Sequence, residues 1–174
     1  DIGLRALMDV AGLDARPDAY HLGFLLGPRI NAGGRVGESD LGTRLLTLDD
    51  EDEAKALSLH LDSLNRERQT LESIVLDAAI AQIGDPGDAP VLCVHARGWH
   101  PGVVGIVASR LKDRFRRPAV VIGFDYGVGK GSGRYIAGGD LGAAIIAARQ
   151  EGLLVAGGGH AMAAGLTIEE GQLE

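Results

Sequence analysis

Four short stretches of the chain carry side chains that could grip a phosphate or move a proton. In GGGHAMAAG, Gly157 to Gly165, His160 follows three residues without side chains. Consecutive glycines weaken helix and strand alike, so they mark a backbone that turns sharply or that something must approach closely. Gly158 and Gly159 would let a ligand reach the main chain beside His160. In GVGKGSGR, residues 127–134, Ser132 and Arg134 lie two apart, on one face of an extended segment. A hydroxyl beside a guanidinium makes a phosphate clamp, because Arg donates two parallel hydrogen bonds to phosphate oxygens. A surface strand with an incidental Arg is the plainer alternative. The stretch is not a nucleotide-binding P-loop, since Gly131 follows Lys130 where a Ser or Thr would have to hold magnesium.

In RGWHPGVVG, residues 97–105, Trp99 and His100 precede Pro101 at a strand-to-helix turn. Trp99 could stack on a ligand or plug the core, and composition favours the plug. His100 could cap the helix, ligate or hydrogen-bond. In RINAGGR, Arg29, Asn31 and Arg35 surround what reads as a tight turn, or else a helix C-terminus capped by Gly33. There is no Asp-x-Asp, no His-His pair and no HxxxH, so no complete metal site is predicted in this chain.

The frame for these residues changes character along the chain. Helices are predicted over 3–13, over 18–30 with Asp18 as a cap, and over 40–48, with a turn-rich NAGGRVGESD between the last two. Residues 49–83 repeat Leu57, Leu61, Leu64, Leu71 and Val75 at helical spacing. That helix would reach about 45–50 Å, which suits a connecting element. A coiled coil fits less well, because Arg68 interrupts the seam. After the turn GDPGDAP come a strand over 91–95, a helix over 101–115, a strand over 119–124 and a glycine-rich strand or loop over 127–134. A helix over 140–152 follows, then AMAAG, which could begin another helix, and a strand over 166–168. Alternating strands and helices predict an α/β fold. It consists of a helical arm with a long connecting helix over 1–83, followed by a compact mixed α/β module over 90–174.

Bulk properties narrow the function. Net charge is −7, which opposes simple nucleic-acid binding. Yet between Arg97 and Arg134 eight basic residues face only Asp113 and Asp125, a local excess of six. Such a run is either a solvated helix face or a surface for a polyanion. A hydrophobic share of 45% supports a packed core. The single Cys93 excludes an internal disulfide and fits a reducing compartment such as the cytoplasm. No apolar run approaches a membrane span. The start lacks Met and falls in mid-helix, the expectation for a piece of a longer protein.

Taken in order, GLRALMDVAG, GPRINAGGRVG, LNRERQTLE, GWHPGVVGIVASRL, GSGR and GGGHAMAAG resemble the RecJ family of the DHH phosphoesterase superfamily. GGGH is the specific mark of the DHH-associated C-terminal domain. The resemblance implies an exonuclease that degrades single-stranded DNA from 5′ to 3′ in repair and recombination. It implies Mn²⁺ or Mg²⁺ held by an N-terminal DHH domain absent here, and an OB-fold domain that helps bind DNA. No cofactor and no activity are then expected of this chain alone. Carried over by motif, Ser132 and Arg134 would hold the 5′ phosphate, and His160 would stand near the scissile phosphate with Gly158 and Gly159 beside it. Trp99 and His100 would lie beside or beneath the DNA groove. Arg29, Asn31 and Arg35 would lie at the junction with the catalytic domain. The rivals are a related phosphodiesterase for short oligonucleotides or cyclic dinucleotides, and a non-catalytic nucleic-acid-binding module.

Overall fold

Every second residue from Gly127 to Gly133 is glycine, and the residues between are Val128, Lys130 and Ser132, with Arg134 next. That strict alternation makes a strand with one bare face and one mostly polar face. In the computed structural model, which describes residues 1–173, it forms β3 (Val128–Arg134), the middle strand of a five-stranded sheet. The sheet order is β1-β2-β3-β5-β4, built from β1 (Leu92–Arg97), β2 (Ala119–Asp125), β4 (Ala156–His160) and β5 (Ala163–Glu169). β1 and β2 are parallel and joined by helix α5 (Pro101–Phe115); the other pairings are antiparallel.

The bare face of β3 is filled by its neighbours. A Cβ at Gly129 would come within 3.0 Å of Phe124, Ile122 and Ile168, and one at Gly131 would meet Leu166 and Ile122. Those side chains, with Leu141 and Ile145 of helix α6 (Leu141–Gln150), form one core layer. On the opposite face, Val103, Val107 and Leu111 of α5 pack on Leu92, Val94, Ala119 and Val121. Tyr126 and Gly127, with φ of 47° and 78°, close the β2–β3 hairpin through the left-handed conformations that a tight two-residue turn requires.

The chain divides into two units between Thr70 and Leu71. The division falls inside helix α4 (Glu51–Ile83) rather than after it, because Val75 and Ala79 are buried in the core of the sheet unit. Gln82 near the end of α4 also bonds both main-chain groups of His95, at 2.8 and 3.0 Å, and so occupies part of the open edge of β1.

The first unit is helical. Asp1 caps α1 (Ile2–Val10) by accepting from the Leu4 amide. Leu7, Leu26, Leu45 and Leu61 are its fully buried core, with α3 (Leu41–Thr47) predicted correctly. Two expectations fail here. Residues 18–30 are not one α-helix: a π-helical segment, His21–Leu26, runs into α2 (Gly27–Val36). NAGGRVG is not a turn, since α2 continues through it to Val36. Glycine suits that helix because Gly33 is buried, with Leu41 Cβ only 3.2 Å from where its own Cβ would stand.

A third expectation also fails. AMAAG starts no helix; Ala161 and Met162 form the two-residue turn of the β4–β5 hairpin. The Leu141 amide at the start of α6 donates to Ala161 O, and the Tyr135 amide just past β3 donates to Met162 O, both at 3.0 Å. The turn beside His160 is thus tied to two other elements.

Candidate functional site on the open face of the sheet

Register brings the phosphate-type residues together. Arg134 stands opposite Ala163, and Ala163 stands opposite His160. Ser132, Gly165 and Gly158 form the next row, and Lys130, Thr167 and Ala156 the one after. Residues directly opposite in antiparallel strands share a face, so all nine look the same way. Arg134 and His160 are two strand spacings apart, about 10 Å between main chains.

The face is open above its centre. A Cβ at Gly158 would have nothing within 4 Å, and one at Gly165 would meet only Gly131 O at 3.9 Å. His160 is exposed, while Ser132 and Arg134 are half-buried at the side covered by α5. There Gly105 is decisive: a Cβ would stand 3.0 Å from Arg134 Nη2 and 3.1 Å from Ser132 Oγ. GVVG therefore lets the helix lie close while the guanidinium passes beneath it. Arg134 Nη1 donates to Ser132 Oγ at 2.9 Å and to Gly133 O at 2.8 Å. The hydroxyl and the carbonyl hold the flat cation in one pose, which lowers the entropy lost when it meets an anion.

Gly158 and Gly159 do different things. Gly158 faces the open side. Gly159 belongs to the other face: a Cβ on Gly142 of α6 would come within 2.7 Å of Gly159 O, and one on Gly159 would meet Ala163 O and Ala164 Cα. Its missing side chain permits this close packing.

Trp99 is half-buried and packs against the β1–β2–α5 core, the plug foreseen as one of its two roles. His100 is the N-cap of α5, its Nδ1 accepting from the Gly102 amide at 3.0 Å. A neutral His100 therefore carries its proton on Nε2. In the helical unit, Arg29 is committed to an ion pair with the buried Asp62, at 2.8 Å, which Arg66 also contacts. Asn31 and Arg35 are exposed on α2.

The basic run is mostly used internally. Arg97 pairs with Glu170, Arg110 with Glu72 and Lys112 with Asp113, while Arg117 donates to Pro86 O and Ala89 O. The Arg97 guanidinium, bonded to Glu170 through Nε and Nη2, holds that carboxyl below the usual glutamate range. Partial desolvation by its neighbours pushes the thiol of the exposed Cys93 up, away from a reactive thiolate. Of the eight cations, Lys130 and Arg134 stand in the rows of the open face. Gly105, Gly165 and Lys130 were missed as parts of the site. Only Lys130 left a signal in the sequence, the spacing of two that it shares with Ser132 and Arg134.

The family model of the DHHA1 domain matches residues 88–174. The single-stranded-DNA-specific exonuclease RecJ of Bacillus subtilis (strain 168) is 42% identical over 172 residues, covering 97% of this chain and 22% of the relative. The RecJ of Escherichia coli (strain K12) is 41% identical over 180 residues, covering 97% and 31%. Crystal structures of RecJ from Thermus thermophilus with Mn²⁺ and with Mg²⁺ each superpose with a TM-score of 0.84 at 38% identity. They cover 98% of this chain and 25% and 26% of theirs. The chain thus spans between about a fifth and a third of the length of these relatives.

Divalent cations do not fit the face. In the three rows of Arg134, Ser132 and Lys130 its charged and polar side chains are Lys130, Ser132, Arg134, His160 and Thr167, cationic or neutral groups, whereas Mg²⁺ and Mn²⁺ call for oxygen ligands led by carboxylates. Among the described residues no group of three or more His, Cys, Asp and Glu side chains could hold a metal ion. No helix among them is long and apolar enough to cross a membrane. A bare-floored cationic face over a mixed sheet, GGGH on its edge strand and the match over 88–174 have one common reading: the chain belongs to the DHHA1 domain family.

Proposed function

We propose that this chain is the substrate-gripping part of a metal-dependent exonuclease that degrades single-stranded DNA from 5′ to 3′, serving repair and recombination in a reducing, cytoplasmic setting. The observation that carries the reading is the row Arg134–Ala163–His160, with Ser132 and Gly158 beside it on one open face. The names of the RecJ relatives point the same way.

In this reading Arg134, steadied by Ser132, donates to the non-bridging oxygens of a 5′-terminal phosphate. His160 donates a ring N–H to an oxygen of the scissile phosphodiester, where negative charge builds as the bond breaks. Gly158 and Gly165 leave room for the nucleotide between them. Divalent metal, Mn²⁺ or Mg²⁺, would neutralise charge on the same phosphodiester from a separate DHH domain of the whole protein. An OB-fold domain would hold the rest of the strand. Asn31 and Arg35 would face the catalytic domain, with Arg29 fixing α2 beneath them through Asp62. Trp99 sets the floor beside the groove, and His100 offers Nε2–H at its rim.

The test is the whole protein with Mn²⁺ on end-labelled single strands. Mononucleotide release beginning at the 5′ end supports the proposal. Cleavage from the 3′ end, internal cleavage, or a preference for cyclic dinucleotides overturns it. The 174-residue chain alone should show no nuclease activity.

A further inference from the structure

The open face has a third row that the reading above leaves unused. Lys130 is exposed and donates from Nζ to Thr167 Oγ1 at 2.8 Å. The group that steadies this ammonium is a hydroxyl. Lys130, Ser132 and Arg134 are spaced i, i+2, i+4 along β3, and Lys130 lies about 13 Å from Arg134. The floor between the rows is Ala163, Gly165 and Gly158, open above its two glycines. One row beyond Lys130 the charge reverses: Asp125, Val128 and Glu169 are in register on the same face, and both carboxylates are exposed. The cationic strip therefore has a defined end.

Resting on the function proposed above, we propose that Lys130 and Thr167 form a second phosphate subsite, which takes a downstream phosphodiester of the strand whose 5′ phosphate lies at Arg134. Thr167 orients the ammonium as Ser132 orients Arg134, so each cation on the face has its own hydroxyl. Asp125 and Glu169 repel the backbone beyond this point and make the strand leave the sheet. The module grips a short segment through charge at both ends and bare main chain between. A point-charge Lys suits an internal phosphodiester, which offers fewer free oxygens than a terminal phosphate and gains less from a bidentate fork.

The experiment uses the full-length protein and 5′-phosphorylated oligothymidylates of two to eight nucleotides, with affinity read against length and salt. In the wild type, affinity should rise with length. Lys130→Gln should erase much of that rise, a loss of about 3–10-fold at the longer lengths, and reduce the slope of log K against log salt by about 0.7, one phosphate contact on a single strand. Lys130→Arg should restore most of the length dependence. Glu169→Gln should strengthen binding of the longest oligonucleotides more than that of the dinucleotide. A Lys130→Gln protein with wild-type length dependence and salt slope would overturn the subsite, as would an equal loss at every length. If the wild type ignores the 5′ phosphate altogether, the parent reading fails, and the length and salt response of Lys130→Gln still decides whether this position contacts a phosphate.

Discussion

Arg134 and His160 share a single cross-strand partner, Ala163, so the two side chains project from one row of the sheet with only a methyl group between them. Nothing in their separation along the chain implies this. It arises because β5 inserts between β3 and β4 and because the Ala161–Met162 turn is tied to Tyr135 and Leu141. The next row repeats the pattern with Ser132, Gly165 and Gly158.

His160 is exposed at the end of β4, where its removal disturbs little packing. His160→Ala in the full-length protein should lower kcat by about 100-fold or more, the scale of losing one donor to developing charge. KM should change by only a few-fold. Steady-state kinetics on a single strand separate the two, and an unchanged kcat would remove His160 from the chemistry.

Gly158, on the open face, and Gly142 of α6, which packs on Gly159 O, should differ in sign. Gly158→Ala adds a methyl into open space and should leave stability unchanged or raise it by about 0.5–1 kcal/mol, because glycine is entropically costly in a strand. Its cost should appear as weaker substrate binding. Gly142→Ala forces a methyl against Gly159 O and should destabilise by about 1–3 kcal/mol. Urea denaturation gives both values. An unstable Gly158→Ala beside a tolerant Gly142→Ala would reverse the assignment of faces.

The Arg97–Glu170 pair makes a pH prediction. Its hydrogen bonds and charge lower the Glu170 pKa in the folded state. A depressed carboxyl contributes stability above its unfolded pKa, and that contribution disappears as pH falls through the folded value. Both groups are solvated, so the stability effect is small. In an NMR titration Glu170 should titrate below the ordinary glutamate range and return upward in Arg97→Met. An identical midpoint in both proteins would show that the pair does not form in solution.

Much of the fold was legible because side-chain periodicity carried it. The leucine spacing over 57–71 marks α4, and apolar runs mark β1 and β2. Where glycine replaces side chains the signal vanishes. β4 has no alternation to read, and alanine and methionine after His160 favour helix by propensity, yet tertiary pairing makes a hairpin. Gly33 and Gly34 look like a turn, but one of them is a buried contact with Leu41 inside α2. Ser132 and Arg134 were readable as a pair because two residues of one strand share a face. The roles of Gly105 and Gly165 follow only from packing and register.

The most direct test is the ratio of cleavage rates for 5′-phosphorylated and 5′-hydroxyl single strands, measured with full-length wild-type protein and with Arg134→Ala. Losing charge-assisted hydrogen bonds worth about 1.5–3 kcal/mol should reduce the wild-type preference about 10–100-fold, toward unity. An Arg134→Ala protein that folds normally and keeps the wild-type ratio would contradict the phosphate clamp.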